Sequence, residues 1–168
     1  AFQETDVIGV TLPVTKWSYQ ITDASEIPAV FAKAFYIANT GRPGPVMIDI
    51  TKNAQFGKLE WHYEKAPRIR SYWPTPKAKI ADIEAAAKLI NEAKQPYVLA
   101  GHGILISGAQ EEIKQLIEKA SLPTACTLQG LSILPDEHPM YVGMPGMHGN
   151  YAPNLLSAEC DVLIAVGM

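Results

Sequence analysis

Three features of the chain predict an α/β fold. Short apolar runs alternate with longer segments whose apolar residues recur at helical spacing. The runs Tyr97-Val98-Leu99-Ala100, Thr124-Ala125-Cys126 and Asp161-Val162-Leu163-Ile164-Ala165-Val166 lack polar alternation, as strands covered on both faces require. Each of them opens into a glycine-containing loop: Gly101-His102-Gly103, Thr127-Leu128-Gln129-Gly130 and Gly167. Repeated helix and strand units of this kind imply a Rossmann-like parallel sheet with helices on both faces.

In chain order, Ser25 is placed to cap a helix from about Glu26, with Pro28 in its first turn. Ile27, Val30, Phe31, Ala34, Phe35 and Ala38 form its apolar stripe, and Gly41 stops it. Pro45 to Ile50 then reads as a short buried strand. From Lys52 to Lys79 charges, prolines and aromatics (Trp61, Tyr63, Pro67, Tyr72, Trp73) break the pattern, which marks an extended segment lying against a surface. A helix from Ile80 to Lys94 is expected to turn Ile83, Ala86, Ala87, Leu89 and Ile90 inward, leading to the strand at Tyr97. Helices over Ala109 to Ala120 and Tyr151 to Ala158 lead to the strands at Thr124 and Asp161. The expected organisation is a remnant of one domain over residues 1–55, a linker over 56–78, and a second domain over 79–168.

With 168 residues, 48% hydrophobic and 18% charged, the chain can bury a core. A formal net charge of -3 and the lack of a long Lys/Arg block argue against nucleic acid or anionic membrane as a partner and favour a small-molecule ligand. Cys126 and Cys160 suggest neither a disulfide framework nor a zinc pair, which fits a reducing, cytoplasmic setting. No apolar run reaches the roughly 20 residues of a bilayer span. The start, Ala1-Phe2-Gln3-Glu4, has neither signal-peptide character nor an initiator methionine, so we expect a piece of a longer protein.

The loops carry the candidate chemistry. In a doubly wound sheet they gather at the carboxyl edge, where glycine lets backbone approach a nucleotide-shaped ligand, although α/β turns need glycine in any case. Gly101-His102-Gly103 lacks a third glycine at Ile106 and is not a full dinucleotide fingerprint. His102 and His148 have no visible carboxylate partner or metal-ligand spacing, so contact roles suit them and no metal ligands are assigned. Gly143-Met144-Pro145-Gly146-Met147-His148-Gly149 joins permissive backbone to soft apolar side chains, which suits a flat ring system. Arg42 offers a fork of donors to phosphate or carboxylate, while Lys16 and Lys52 could guide anionic substrates.

Phe2-Gln3-Glu4-Thr5, Val14-Thr15-Lys16, Gly41-Arg42-Pro43-Gly44-Pro45-Val46, Thr127-Leu128-Gln129-Gly130 and Gly146-Met147-His148-Gly149 occur in an ordered set. Through this set the chain resembles the acetolactate synthase branch of the thiamine-diphosphate enzymes, from the end of the pyrimidine-binding domain through most of the central domain. The resemblance implies that Gln3 lies near the active site and that Lys16 and Lys52 lie near the substrate channel. It also implies that Arg42, Gly101, Gly103, Thr127, Leu128, Gly146, Met147, His148 and Gly149 contact FAD. For the full-length enzyme it implies thiamine diphosphate, Mg2+ and a largely structural FAD, with no cofactor expected on this piece alone. The implied reaction joins pyruvate to a second 2-oxo acid with loss of CO2, in a homo-dimer or homo-tetramer that can carry a regulatory subunit. The family's catalytic glutamate and its Gly-Asp-Gly metal site are expected outside residues 1–168, which makes the piece inactive alone. Thr51-Lys52-Asn53, His102, Gln129, Pro145 and Trp17 depart from the branch's usual residues. The alternatives are another thiamine-dependent carboligase, decarboxylase or oxidase, or a non-catalytic nucleotide-binding or assembly module.

Overall fold

The computed structural model describes residues 4–63, 65 and 69–168, in two compact units, Ala1–Lys77 and Ala78–Met168. The first unit runs α1 (Val7–Thr11), β1 (Trp17–Ile21), α2 (Ile27–Asn39), β2 (Val46–Ile50) and α3 (Lys52–Phe56). Strands β1 and β2 pair in parallel, Trp17 opposite Val46 through Ile21 opposite Ile50. Ile21, Val30 and Ala54 form the core, with Tyr19, Phe31, Ile48 and Ile50 packed around them.

The entry to α2 differs from the Ser25 cap expected from sequence. The Asp23 carboxylate accepts both the backbone N–H of Ser25 (2.8 Å) and its hydroxyl (2.5 Å). Glu26 reaches back to the backbone N–H of Thr22 (3.0 Å) and Asp23 (3.3 Å), completing a capping box. An ionised carboxylate is a stronger acceptor than a serine hydroxyl, so Ser25 becomes a donor within the cap. The buried stripe is Val30, Ala34 and Ile37, whereas Phe35 is exposed. At 3.6 residues per turn Phe35 lies about 140° round the helix from Val30, outside that stripe.

Of the aromatics between the domains, Tyr72 packs edge-on against Tyr36 at 5.9 Å and donates to the Thr40 carbonyl at 2.9 Å. Trp61, Tyr63 and Trp73 remain largely exposed, so contact with a surface is made by the Tyr72 end of this stretch. Pro67 lies outside the described residues.

The second unit runs α4 (Ile80–Glu92), β3 (Pro96–Ala100), α5 (Gly103–Ser107), α6 (Gln110–Ala120), β4 (Thr124–Cys126), β5 (Tyr141–Gly143), α7 (Tyr151–Glu159) and β6 (Val162–Val166). Its sheet has the order β5-β4-β3-β6 and every pairing is parallel. The chain steps outward from β3 to β4 to β5 and then returns to the opposite side of β3. Crossovers of constant hand therefore place α6 on one face and α7 on the other. Along β3, Ala100 packs with Ile104, Ile113 and Ile117, while Tyr97, three residues earlier and on the opposite face, donates its hydroxyl to the Pro153 carbonyl of α7 at 3.2 Å. The α/β class with parallel strands covered by helices is thus present.

Helix α4 behaves differently from expectation. Ile83, Ala86, Ala87 and Leu89 are exposed and Ile90 is half-buried. No β-strand of this sheet precedes α4, so no crossover constrains it to a sheet face as α6 and α7 are constrained. The short elements β1, β5, α1, α3 and α5 were absent from the sequence reading.

Candidate functional site

Parallel pairing brings the exits of β3, β4, β5 and β6 to one edge of the second unit's sheet. The path reverses between β3 and β6, and open α/β sheets place ligands outside the carboxyl ends of strands at such a switch point. Here the exits are tightly joined. The Gly103 N–H donates to the Gly167 carbonyl at 2.8 Å, and a Cβ on Gly101 would stand 2.4 Å from that same oxygen. Glycine at 101 and 103 is therefore required by the approach of the β6 exit, before any ligand is considered. An open cavity of about 270 Å³ adjoins this point, lined by Ile104, Ser107, Glu112, Leu116, Val166 and Gly167 among others.

The β3 and β4 loops are also stitched together. His102 Nδ1 lies 2.7 Å from the Gln129 carbonyl. A carbonyl can only accept, so the proton sits on Nδ1. The Thr127 N–H donates to the Ala100 carbonyl at 2.9 Å, and Leu128 beyond it is 70% exposed. Cys126 below is fully buried, and burial pushes its thiol above the ordinary range, which suits packing rather than nucleophilic chemistry.

The loop after β5 carries Gly146, at φ 109°, a backbone conformation that side chains disfavour. Its neighbour Met147 is 92% exposed and His148 is exposed as well. Gly149 has a different requirement: a Cβ there would fall 2.1 Å from the Met144 carbonyl, inside the loop itself. Asn150 and Asn154, which the sequence reading did not select, supply the side-chain bonds that shape the loop. Asn150 Oδ1 accepts the Met144 N–H at 3.0 Å, and Asn154 bonds both backbone groups of Gly146. Two asparagines at a helix start, directly after a glycine-rich loop, were the available signal.

The remaining candidates belong to the first unit. Lys16 precedes β1 and Lys52 follows β2; because the strands are parallel, the two lysines stand at opposite ends of that sheet. The Lys16 ammonium donates to the Ile37 carbonyl (2.5 Å), the Thr40 carbonyl (2.7 Å) and the Tyr72 hydroxyl (3.2 Å). All three of its N–H bonds are engaged, at the C-terminal end of α2 where a cation also meets the negative pole of the helix. The reading of Lys16 as a guide for anionic substrate is revised accordingly. Lys52 is exposed, with its ammonium 5.8 Å from the Phe56 ring centre, and Arg42 is exposed in the turn before β2. Gln3 lies outside the described residues. The structure therefore gathers Gly101, Gly103, Thr127, Leu128, Gly146, Met147, His148 and Gly149 at one sheet edge, and does not bring Lys16 and Lys52 together. Among the described residues there is no group of three His, Cys, Asp or Glu side chains able to hold a metal ion, and no helix is long and apolar enough to cross a membrane.

A parallel sheet reversing at β3, with glycine loops at its carboxyl edge, defines a doubly wound α/β domain. The family to which the chain belongs is narrower: residues 83–168 match the central domain of the thiamine pyrophosphate enzymes, and the chain is a member of that family. It is similar over 99% of its length, at 45% identity, to a probable acetolactate synthase large subunit of Methanocaldococcus jannaschii, of which it covers 29%. It is 40% identical over 99% of its length to the acetolactate synthase large subunit of Corynebacterium glutamicum, covering 27% of that protein. To the acetolactate synthase isozyme 3 large subunit of Escherichia coli it is 38% identical over its whole length, covering 30%. The chain thus spans less than a third of the length of these relatives.

Proposed function

We propose that this chain supplies the central region of an acetolactate synthase, a thiamine-diphosphate enzyme that condenses pyruvate with pyruvate or 2-oxobutyrate and releases CO2 in branched-chain amino-acid biosynthesis. The observation that carries this reading is similarity running through both units to proteins named as acetolactate synthase large subunits. That name also supports assembly with a smaller regulatory subunit, and we extend the reading to a homo-oligomeric, cytoplasmic enzyme. The domain assignment follows: 1–55 as the end of a pyrimidine-binding domain, 56–78 as a linker, and 79–168 as a cofactor-binding central domain.

The residues present fit a flavin. Leu128 and Met147, on two loops of one sheet edge, are exposed apolar side chains with nothing of the fold to cover, and the space where a side chain on Gly146 would stand is open. We assign Thr127, Leu128, Gly146, Met147, His148 and Gly149 to FAD contact, with Gly101 and Gly103 holding the edge in shape; Arg42 is assigned to the same ligand and Gln3 and Lys52 to the active-site region. Thiamine diphosphate with Mg2+ supplies the carbanion chemistry when bound, and none of the described residues is assigned to that step. The work of this chain is to hold loops and ligand in a fixed geometry. The test is acetolactate formation from pyruvate with thiamine diphosphate, Mg2+ and FAD. The full-length enzyme is expected to turn over and the 168-residue chain to stay at the protein-free background. A full-length enzyme that binds thiamine diphosphate yet releases only acetaldehyde, or oxidises pyruvate, would replace the synthase assignment with one of the related thiamine-dependent reactions.

A further inference from the structure

The loop from Gly143 to Gly149 is spanned by one internal backbone bond, from the Gly149 N–H to the Gly146 carbonyl at 3.0 Å, and its tip is little packed. Gly143 and Gly146 both have positive φ, 105° and 109°, and Met147 at the tip packs against almost nothing. A chain this permissive samples many conformations unless other groups hold it. Two asparagines do so. Asn150 grips Met144 from both sides, its Oδ1 accepting the Met144 N–H at 3.0 Å and its own N–H donating to the Met144 carbonyl at 2.8 Å. Asn154 grips Gly146 in the same two-sided way, with Oδ1 accepting the Gly146 N–H at 2.8 Å and Nδ2 donating to the Gly146 carbonyl at 3.0 Å.

The second grip has more behind it. Asn154 lies in α7 next to Pro153, which is fully buried and accepts the hydroxyl of the buried Tyr97 of β3. A continuous path of contacts therefore leads from the central strand, through α7, to the backbone of Gly146, one residue before Met147. The carboxamide is matched to this task, because it alone among side chains of its size presents one acceptor and one donor side by side, the pattern of a peptide group.

We infer that Asn154 is a positioning residue for the cofactor: by fixing both backbone groups of Gly146 it sets the direction of Met147 and the loop tip before the ligand arrives. The inference rests on the reading of this edge as the flavin site. Its physical content is preorganisation, since a loop ordered in advance loses less freedom on binding.

The test measures FAD affinity, by quenching of flavin fluorescence, in the full-length enzyme and in Asn154→Leu and Asn154→Asp variants. Leucine keeps the shape and removes both bonds, and the expected outcome is affinity lowered about tenfold or more, the scale of two neutral hydrogen bonds, with thiamine diphosphate affinity unchanged. Aspartate keeps the acceptor for the Gly146 N–H but sets a carboxylate against the Gly146 carbonyl. Protonation gives back a donor, so the aspartate variant is expected to approach wild-type affinity as pH falls from 7 towards about 4. His148 and Tyr151, the titratable groups of the loop and of the first turn of α7, are present in the wild type too, and the wild-type curve subtracts their effect. Amide exchange at Gly146, faster in the leucine variant and still slow in the aspartate variant, whose carboxylate accepts the same N–H, shows that leucine broke the grip while the remaining amides report an intact fold. Unchanged FAD affinity in the leucine variant with Gly146 exchange accelerated overturns the positioning role. A wild-type enzyme that binds no FAD at all overturns the flavin reading on which the inference stands, and is told apart by the wild-type measurement alone.

Discussion

At the scale of single residues, the position of Lys16 shows how a lysine that follows Val14-Thr15 is used. Its ammonium satisfies two of the carbonyls left open at the end of α2 and ties Tyr72 to the same point. The Tyr72 hydroxyl is held below its usual pKa, first by its hydrogen bond with Thr40 and also by Lys16, against a smaller opposing effect of burial in between. Replacing Lys16 by methionine keeps the stem and removes the charge. We expect the urea midpoint to fall by the equivalent of about 1–2 kcal/mol, the range for bonds to a partly exposed charged group. A midpoint that does not move, combined with a higher KM for pyruvate in the full-length enzyme, would return Lys16 to the substrate channel. The loop residues were legible as a set because glycine and methionine cluster visibly in the sequence. The partners of Lys16, 21 to 56 residues away, or the reach of Asn154 back to Gly146, were not, since such bonds depend on tertiary folding rather than on local spacing.

Among the elements, the entry to α2 and the turn after α4 are set by carboxylates rather than by the residues that local patterns favour. Asp161, at the entry to β6, accepts the N–H groups of Lys94 (2.7 Å) and Gln95 (2.9 Å), which pins the end of α4 to the edge of the sheet. These bonds, the Lys94 one first, hold its carboxyl below the ordinary aspartate range. A depressed folded pKa means that the stabilisation is complete above the unfolded value near 3.9 and is lost as pH falls through the lower folded value. Asp161→Asn is thus expected to be less stable than wild type at pH 6, with the two urea midpoints converging as pH falls below the unfolded aspartate value and through the lower folded one. A gap that stays constant with pH would show that the ionised carboxylate is not what pins the turn. Glu26 follows the same rule, lowered mainly by the Thr22 N–H. Helices α2, α4, α6 and α7 were readable from apolar spacing, but which face of α4 is buried was not: periodicity reports that a helix has an apolar face, and only the crossovers say what that face meets. Strand β1 does carry a period-two signal, the alternation Trp17-Ser18-Tyr19-Gln20-Ile21, whereas the three-residue β5 is too short to give one.

For the second unit as a whole, parallel strands and a carboxyl-edge loop cluster follow from repeated helix and strand units, yet the order β5-β4-β3-β6 does not. The step from β5 to β6 uses a helix and a strand like those before it, and only the direction of travel across the sheet differs. What marks the reversal is the contact of Gly101 and Gly103 with Gly167, three glycines that the sequence shows as separate turn signals. Two accounts of these glycines make different predictions. If they serve ligand approach, an added methyl group weakens binding and leaves the ligand-free protein as stable as before. If they serve the meeting of β3 and β6, the methyl group damages the ligand-free protein itself. At Gly101 the added carbon would lie 2.4 Å from the Gly167 oxygen and 2.9 Å from its carbonyl carbon, both backbone atoms that cannot turn aside. Gly101→Ala is therefore expected to cost about 1–3 kcal/mol, the usual range for overpacking, and to speed exchange at the Gly103 amide, whose acceptor is Gly167. Circular dichroism through a urea titration and amide exchange on the ligand-free protein measure both. An alanine variant with wild-type stability and a protected Gly103 amide would assign this glycine to the ligand instead of to the point where the sheet reverses.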